Sequence, residues 1–228
     1  MKIFSEFIIQ PCIHCGIKKS NINLFCDECF KLMPVIKDPF CYACGAEQDG
    51  IFEICGKCMK EPKRPWRRAL SLMRMEGCGK ELIHKLKYSG NTTIARSFGE
   101  MAVEKILNSE LNGFDFIVPI PLHWKRYLKR GYNQTELISD VISKKLKIPV
   151  GKILKRVKST PYQAKLDRVH RLKNLDGAFK VVDEKKCENR TILLVDDVMT
   201  TGTTLSVATE VLLKSKIKDV YVLSIFRA

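Results

Sequence analysis

Eight cysteines at a repeated spacing offer the clearest chemistry in this chain. The pattern C-x2-C-x10-C-x2-C occurs twice, and each cysteine of the second copy lies 29 positions after its counterpart. The cysteines are Cys12, Cys15, Cys26, Cys29, Cys41, Cys44, Cys55 and Cys58. Two cysteines separated by two residues can place both thiolates on one metal ion, and two such knuckles complete the closed four-sulfur shell of structural zinc. The spacing therefore predicts two structural Zn²⁺ ions with no open catalytic position.

Disulfide pairing is the competing interpretation of these cysteines. The first residues carry an acidic Glu6 within an apolar patch and show no small-residue cleavage site, so we expect no signal peptide. A cytoplasmic location, where thiols stay reduced, then disfavours disulfides. One metal ion per repeat is the simplest pairing, although a crossed arrangement of alternate knuckles also satisfies the spacing. His14 lies inside the first knuckle, but Ala43 takes that place in the second, so His14 is not expected to be a ligand.

A second set of polar residues follows a short apolar run. Residues 191–204 read TILLVDDVMTTGTT, which is a strand-like run, two adjacent carboxylates and a threonine-rich turn. Such a turn before a helix presents unpaired backbone N–H groups that attract a phosphate. The carboxylates can accept hydrogen bonds from ribose hydroxyls, with Mg²⁺ nearby. A capped helix after an acidic turn is the simpler alternative. The predicted ribose 5-phosphate site consists of Asp196, Asp197, Met199, Thr200, Thr201, Gly202, Thr203 and Thr204.

The elements that must position this turn alternate between strand and helix patterns. Strands are predicted at residues 69–75, 114–120, 151–157, 178–182, 191–195 and 220–226, and helices at 79–88, 93–107, 133–146 and 205–214. This alternation predicts an α/β fold, a parallel sheet flanked by helices with ligands beyond the carboxyl ends of its strands. The predicted boundaries are 1–60 for a double zinc ribbon, 61–68 for a linker and 69–228 for the α/β domain.

Positive charge is concentrated in one part of the chain. The net charge is +15, and residues 123–173 hold fifteen basic and three acidic residues. This excess favours a phosphate-rich partner such as nucleic acid, although a solvated basic surface is the alternative. The apolar runs fall far short of the ~20 residues that a membrane span needs, so no membrane insertion is predicted.

Three segments and the cysteine repeat resemble known families. The segment DDVMTTGTT resembles the loop of type I phosphoribosyltransferases that binds phosphoribosyl pyrophosphate (PRPP). The segments VPIPLHWKRYLKRGYNQTELI and TPYQAKLDRVHRLKNLDGAF, with the cysteine repeat, resemble the ComF/ComFC competence family over almost the whole chain. The resemblance implies PRPP as ligand or substrate, Mg²⁺ with it, and a mobile flap at about residues 158–174. It also implies a pyrophosphate loop, with candidates Pro119, Ile120, Pro121 and His123.

The resemblance further implies a role in natural transformation, in which the protein handles incoming single-stranded DNA on the cytoplasmic side of the inner membrane. A competence helicase or the inner-membrane DNA channel is then an expected partner. Two other functions stay open: a phosphoribosyltransferase with an unknown acceptor, and a PRPP-sensing adaptor for the helicase. No catalytic residue is assigned. The DNA-binding candidates, basic residues with an interleaved aromatic, are Lys125, Arg126, Lys129, Arg130, Tyr132, Lys165 and Arg168.

Overall fold

The structure is a computed structural model that describes residues 10–20, 24–50, 52–88, 90, 92–109, 111–159 and 175–228. Two of the DNA-binding candidates, Lys165 and Arg168, lie outside the described residues. The same holds for most of the segment 158–174 that is predicted to form a flap.

In the described residues, six strands form two sheets. The strands are β1 (Ala69–Arg74), β2 (Phe116–Pro119), β3 (Leu154–Arg156), β4 (Phe179–Val181), β5 (Thr191–Met199) and β6 (Asp219–Arg227). The main sheet has the order β1-β6-β5-β2, and all of its neighbouring strands are parallel. The other two strands, β3 and β4, form a separate antiparallel pair. This confirms the predicted parallel α/β fold.

Seven helices accompany these strands in the described residues. They are α1 (Asp27–Lys31), α2 (Gly56–Met59), α3 (Cys78–Tyr88), α4 (Thr93–Asn108), α5 (Trp124–Arg130), α6 (Gln134–Leu146) and α7 (Thr203–Lys214). Helix α5 was not predicted, and none of its residues is buried in the structure. None of these helices combines the length and apolar character that a membrane span requires.

The central strand β5 is apolar on both faces and separates two layers of the core. Leu193 and Val195 pack with residues of α3, α4 and α6, whereas Ile192 and Leu194 pack with residues of α7, β3 and β4. Such burial on both sides is what a continuous apolar run in a parallel sheet predicts. The strand extends to Met199 rather than ending at Val195, because its last residues remain paired with β6.

The cysteine-rich module packs against the edge strand β1. The amide N of Ile36 donates to the carbonyl O of Leu72 at 2.9 Å, and the amide N of Ala69 donates to the carbonyl O of Tyr42 at 2.7 Å. These bonds satisfy backbone groups that an open sheet edge would expose. The two ribbons lie in different layers: Cys12 belongs to the layer of α3 and α4, and Cys41 to that of α7.

Candidate functional site

The eight cysteines form two clusters, each made from one sequence repeat. Within each cluster the four Sγ atoms lie within 4.8 Å of one another, which selects pairing within a repeat over the crossed arrangement. The members are Cys12, Cys15, Cys26 and Cys29 in the first cluster, and Cys41, Cys44, Cys55 and Cys58 in the second. Four sulfurs around one point complete a tetrahedral shell, so these are two four-cysteine zinc-binding sites of the structural kind.

A backbone N–H group lies close to at least one sulfur in each cluster. Backbone N–H groups of Lys18 and Ile17 point at the sulfur of Cys15 and lower the pKa of that thiol to about 6. In the second cluster the amide N of Cys55 lies 3.2 Å from the Sγ of Cys41. Because the thiolate is the ligating form, donors of this kind favour metal binding, whereas the hydrogen bond with Cys44 and burial act in the other direction and raise the pKa of Cys41 to about 12. The described cysteines are all free thiols, as the zinc interpretation requires.

His14 is outside the group of ligands but contacts one of them. Its Nδ1 lies 3.3 Å from the Sγ of Cys29, and its Nε2 lies 3.3 Å from Oε2 of Glu81 on α3. His14 therefore lies beside the first cluster without belonging to it. The first ribbon is thereby attached to α3.

A polar cavity opens at the carboxyl end of β5. Its lining combines one carboxylate, the threonine-rich turn at residues 200–204 and a few apolar side chains: Leu175, Asp196, Val198, Thr200, Thr201, Gly202, Thr203, Thr204 and Leu205. We refer to residues 200–204 as the threonine turn. Gly202 has φ +77° at the N-cap of α7, a left-handed conformation that favours glycine. The cavity therefore faces the first backbone N–H groups of a twelve-residue helix, which suit an anion.

The two adjacent carboxylates lie on opposite sides of β5, because successive side chains of a strand alternate. Asp196 lines the cavity. Asp197 is held by Lys87, with 3.1 Å between Nζ and Oδ2, and accepts a hydrogen bond from Nε2 of Gln134. Burial and the neighbouring charge of Asp197 raise the pKa of Asp196 to about 7. The predicted pair is therefore two different groups: one carboxylate available to a ligand and one engaged by a lysine and an amide.

Met199 does not line the cavity with its side chain. It is buried in the apolar layer that contains α7, and its carbonyl O accepts from Arg227. The five residues from Thr200 to Thr204 do line the cavity, as does Asp196. The structure thus brings six of the eight predicted site residues to one cavity and places Met199 and Asp197 away from it.

The pyrophosphate-loop candidates continue from the end of β2 beside β5. The amide N of Ile120 donates to the carbonyl O of Val195 at 2.8 Å, and the carbonyl O of Ile120 accepts from Oγ1 of Thr135 at 2.7 Å. Pro119 is the last residue of β2 and Pro121 follows Ile120. The loop is therefore fixed between the sheet and α6.

His123 ends this loop and caps α5. Its Nδ1 accepts from the amide N of Lys125 at 3.3 Å. Burial, together with the charges of Arg156 and Lys125, lowers its pKa, which favours the neutral ring. This cap favours the start of a helix at Trp124.

Helix α5 displays four of the DNA-binding candidates, and none of its residues is buried. They are Lys125, Arg126, Lys129 and Arg130. Exposed Trp124, Tyr127 and Leu128 lie among them. Tyr132 is different, since its ring is partly buried and its Oη donates to the carbonyl O of Leu86 at 2.8 Å. The structure thus provides an exposed basic helix directly after the loop at His123.

Three residues around the two carboxylates were missed by the sequence analysis. Gln134 lies in the segment RGYNQ, so the motif itself offered a signal. No sequence signal marked Lys87 or Arg156, because both are distant from β5 along the chain and come near it only in the folded protein. The charge of Arg156 acts on both Asp196 and His123, which places this arginine of β3 near the cavity and the loop. Burial and the charge of Arg126 lower the pKa of Arg156 to about 10.

The fold and the two kinds of site define a class: a double zinc ribbon joined to a domain of the phosphoribosyltransferase fold. The family of the double zinc ribbon domain matches residues 8–59, and that of the phosphoribosyl transferase domain matches residues 136–227. Competence protein F of Haemophilus influenzae is 31% identical, over 98% of this chain and 99% of the relative. The chain therefore belongs to the competence protein F family.

Two other relatives have related names. The DNA utilization protein YhgH of Escherichia coli is 30% identical over 77% of this chain and 78% of its own length. Competence protein ComFC of Bacillus subtilis is 24% identical over 83% of this chain and 78% of its own length. Competence and DNA utilization are thus the processes for which these similar proteins are named.

Proposed function

We propose that this protein binds PRPP in the cavity at the end of β5 and handles single-stranded DNA on α5 during DNA uptake. The observation that carries the first part is the joint lining of one cavity by Asp196 and the threonine turn. The turn offers backbone N–H groups to the 5-phosphate, and Asp196 offers a carboxylate to the ribose hydroxyls and to Mg²⁺. The pyrophosphate would extend toward the loop of Pro119, Ile120, Pro121 and His123.

Titration calorimetry with PRPP and Mg²⁺ tests this site. Replacing Asp196 and Asp197 by alanine is expected to weaken binding by at least about tenfold, because hydrogen bonds to a charged group are lost. Ribose 5-phosphate should bind the parent protein more weakly than PRPP. Asp219→Asn is the matched control, since Asp219 lies at the opposite end of the sheet and pairs with Arg67 at 2.5 Å. Unchanged PRPP affinity in the double variant would contradict this position for the sugar.

The basic helix α5 supports the DNA part of the proposal. Its four cations and exposed aromatic rings offer phosphate contacts and stacking platforms to a flexible strand. The names of the relatives, competence protein and DNA utilization protein, favour nucleic acid over other phosphate-rich partners. Because α5 follows directly after His123, DNA on this helix would lie beside the PRPP cavity.

Fluorescence anisotropy with a labelled oligothymidylate tests the DNA part. Charge reversal to glutamate at Lys125, Arg126, Lys129 and Arg130 should weaken binding strongly. It should also flatten the salt dependence by about 0.7 log units per tenfold salt for each phosphate that the variant no longer neutralises. The control reverses four exposed lysines at the far end of the sheet, namely Lys185, Lys186, Lys214 and Lys216. Equally weakened binding in both variants would mean that only net charge matters.

Pyrophosphate release separates this proposal from an active transferase. PRPP binding without pyrophosphate release, with and without single-stranded DNA, supports a ligand or regulatory role, whereas DNA-dependent release would establish transfer to an acceptor. We further propose that the protein acts in the cytoplasm, at the inner membrane, with a competence helicase or the DNA channel as partner. Two clusters of reduced thiols arranged for metal binding suit that compartment.

A further inference from the structure

The carbonyl groups of the threonine turn accept hydrogen bonds from two arginine side chains. A turn that directs its N–H groups at an anion must direct its carbonyls elsewhere, and buried carbonyls need donors. Nη1 of Arg227 lies 3.2 Å from the carbonyl O of Met199 and 2.8 Å from that of Thr200. Nη1 of Arg64 lies 2.7 Å from the carbonyl O of Thr201. Two guanidinium groups thus hold three consecutive carbonyls.

Arg64 comes from the segment that joins the ribbons to the α/β domain, which the sequence predicted to be a linker. It is only 8% exposed, and its Nη2 pairs with Oε2 of Glu61 at 2.5 Å. This ion pair lies behind the threonine turn, where the guanidinium keeps one N–H donor on the carbonyl O of Thr201. The joining segment therefore supports the threonine turn from behind, although Arg64 itself does not line the cavity.

Trp66 makes a second contact to the same turn. It is 5% exposed, and a Cβ built on Gly202 would lie 3.2 Å from Cη2 of Trp66 and 3.2 Å from Nη1 of Arg64. The backbone at Gly202 therefore lies directly on both side chains. The guanidinium of Arg64 is 5.6 Å from the centre of the Trp66 ring.

The same tryptophan reaches the second cysteine cluster. Its Nε1 donates to the carbonyl O of Ala43 at 3.0 Å, and Ala43 lies inside the knuckle of Cys41 and Cys44. These two cysteines pack in one apolar cluster with Trp66 and Leu205. The first ribbon belongs to the opposite layer and contacts α3, where Nζ of Lys85 donates to the carbonyl O of His14 at 2.6 Å. Of the two ribbons, as far as the described residues extend, the second is the one that contacts Trp66 behind the threonine turn.

We infer that Arg64 and Trp66 are positioning residues of the threonine turn, and that the second cysteine cluster sets the affinity for the phosphate group by holding Trp66. This inference rests on the proposed binding of PRPP. Ordering of the second knuckle fixes the carbonyl of Ala43, which fixes the indole on which Gly202 lies. Within the described part of the chain, the first cluster makes no such connection.

The arginine is tested by calorimetry with ribose 5-phosphate, the smallest ligand that contains the phosphate. Arg64→Gln is expected to weaken binding about 10- to 100-fold, because a charged donor to the turn is removed. Arg64→Lys keeps the charge and should recover part of the affinity. Arg67→Gln is the matched control from the same segment, since Arg67 is exposed and pairs with Asp219 at the surface. It should change the affinity by less than about twofold.

The fluorescence emission of Trp66 provides a measurement that a change in global stability alone would not alter. In a Trp124→Phe background Trp66 is the only tryptophan, because the chain has two. Its emission should shift on titration with ribose 5-phosphate, whereas the Trp66→Phe protein, which keeps only Trp124, should show a smaller change. Cys55→Ser in the Trp66-only protein should abolish the shift and weaken binding, and Cys26→Ser should preserve both, although each loses one metal ion.

The outcomes separate the inference from the function on which it rests. A parent protein that binds neither PRPP nor ribose 5-phosphate would overturn the proposed function and this inference with it. A parent that binds, together with an Arg64→Gln protein that binds equally well, would overturn the inference alone. Equal affinities in the folded Cys55→Ser and Cys26→Ser proteins would likewise refute the role of the second cluster.

Discussion

Asp196 carries an electrostatic cost that its replacement by asparagine would remove. Burial and the charge of Asp197 raise its pKa from 3.8 to about 7 in the folded protein. A raised pKa means that the group opposes folding once it is ionised, so its cost is absent below pH 3.8 and grows as the pH rises toward 7. A shift of about three units corresponds to about 4 kcal/mol at pH 8. The amide of asparagine needs a partner in the same place, which offsets about 1 kcal/mol of the gain.

Urea unfolding followed by far-UV circular dichroism measures this effect on zinc-loaded protein. Asp196→Asn should be more stable than the parent by about 3 kcal/mol at pH 8, and this margin should shrink by about 2 kcal/mol at pH 5.5. The same variant should bind PRPP more weakly, because the carboxylate proposed to receive the ribose hydroxyls is gone. Stability gained at the expense of binding is the usual sign of a functional group.

Asp115→Asn is the matched control, and its expected effect on stability has the opposite sign. Asp115 accepts a backbone hydrogen bond from Thr191 at 2.8 Å and pairs with Arg190, which together lower its pKa. A lowered pKa stabilises the fold above pH 3.8, so this variant should be less stable than the parent by the same amount at pH 5.5 and pH 8. If Asp196→Asn shows no gain at pH 8, or a gain independent of pH, Asp196 is not an ionised carboxylate in a buried place.

Metal content and two further residues, Lys87 and Gly202, give three more predictions. Elemental analysis of reduced protein should find two zinc ions per chain. Cys26→Ser and Cys55→Ser should each remove one zinc ion. Clearly less than two equivalents of zinc in the parent protein would refute the two sites. Lys87→Met should lower the unfolding free energy by about 2–4 kcal/mol, since a buried carboxylate is left without its cation, and adding Asp197→Asn should restore most of it. Gly202→Ala should cost about 1–2 kcal/mol and weaken ribose 5-phosphate binding, because φ is +77° and the new methyl meets Arg64; an unchanged urea midpoint would contradict this.

The sequence by itself determined the parts of this protein whose chemistry is local. The knuckle spacing predicted both cysteine clusters, because ligands two residues apart reach the same metal regardless of what surrounds them. The threonine turn could likewise be predicted, since a turn before a helix exposes its N–H groups through local geometry. The alternation of strand and helix patterns predicted the parallel sheet for a similar reason.

Tertiary structure alone decided the roles that depend on distant partners. Pairing with β6 continues β5 through the two acids, so Asp196 and Asp197 point to opposite faces and only one lines the cavity. Lys87 reaches Asp197, and Arg64 reaches Thr201, only because the chain folds back over more than a hundred residues. These contacts could not be predicted from side-chain type and spacing. They depend on which faces of the sheet and of the ribbons are buried against each other.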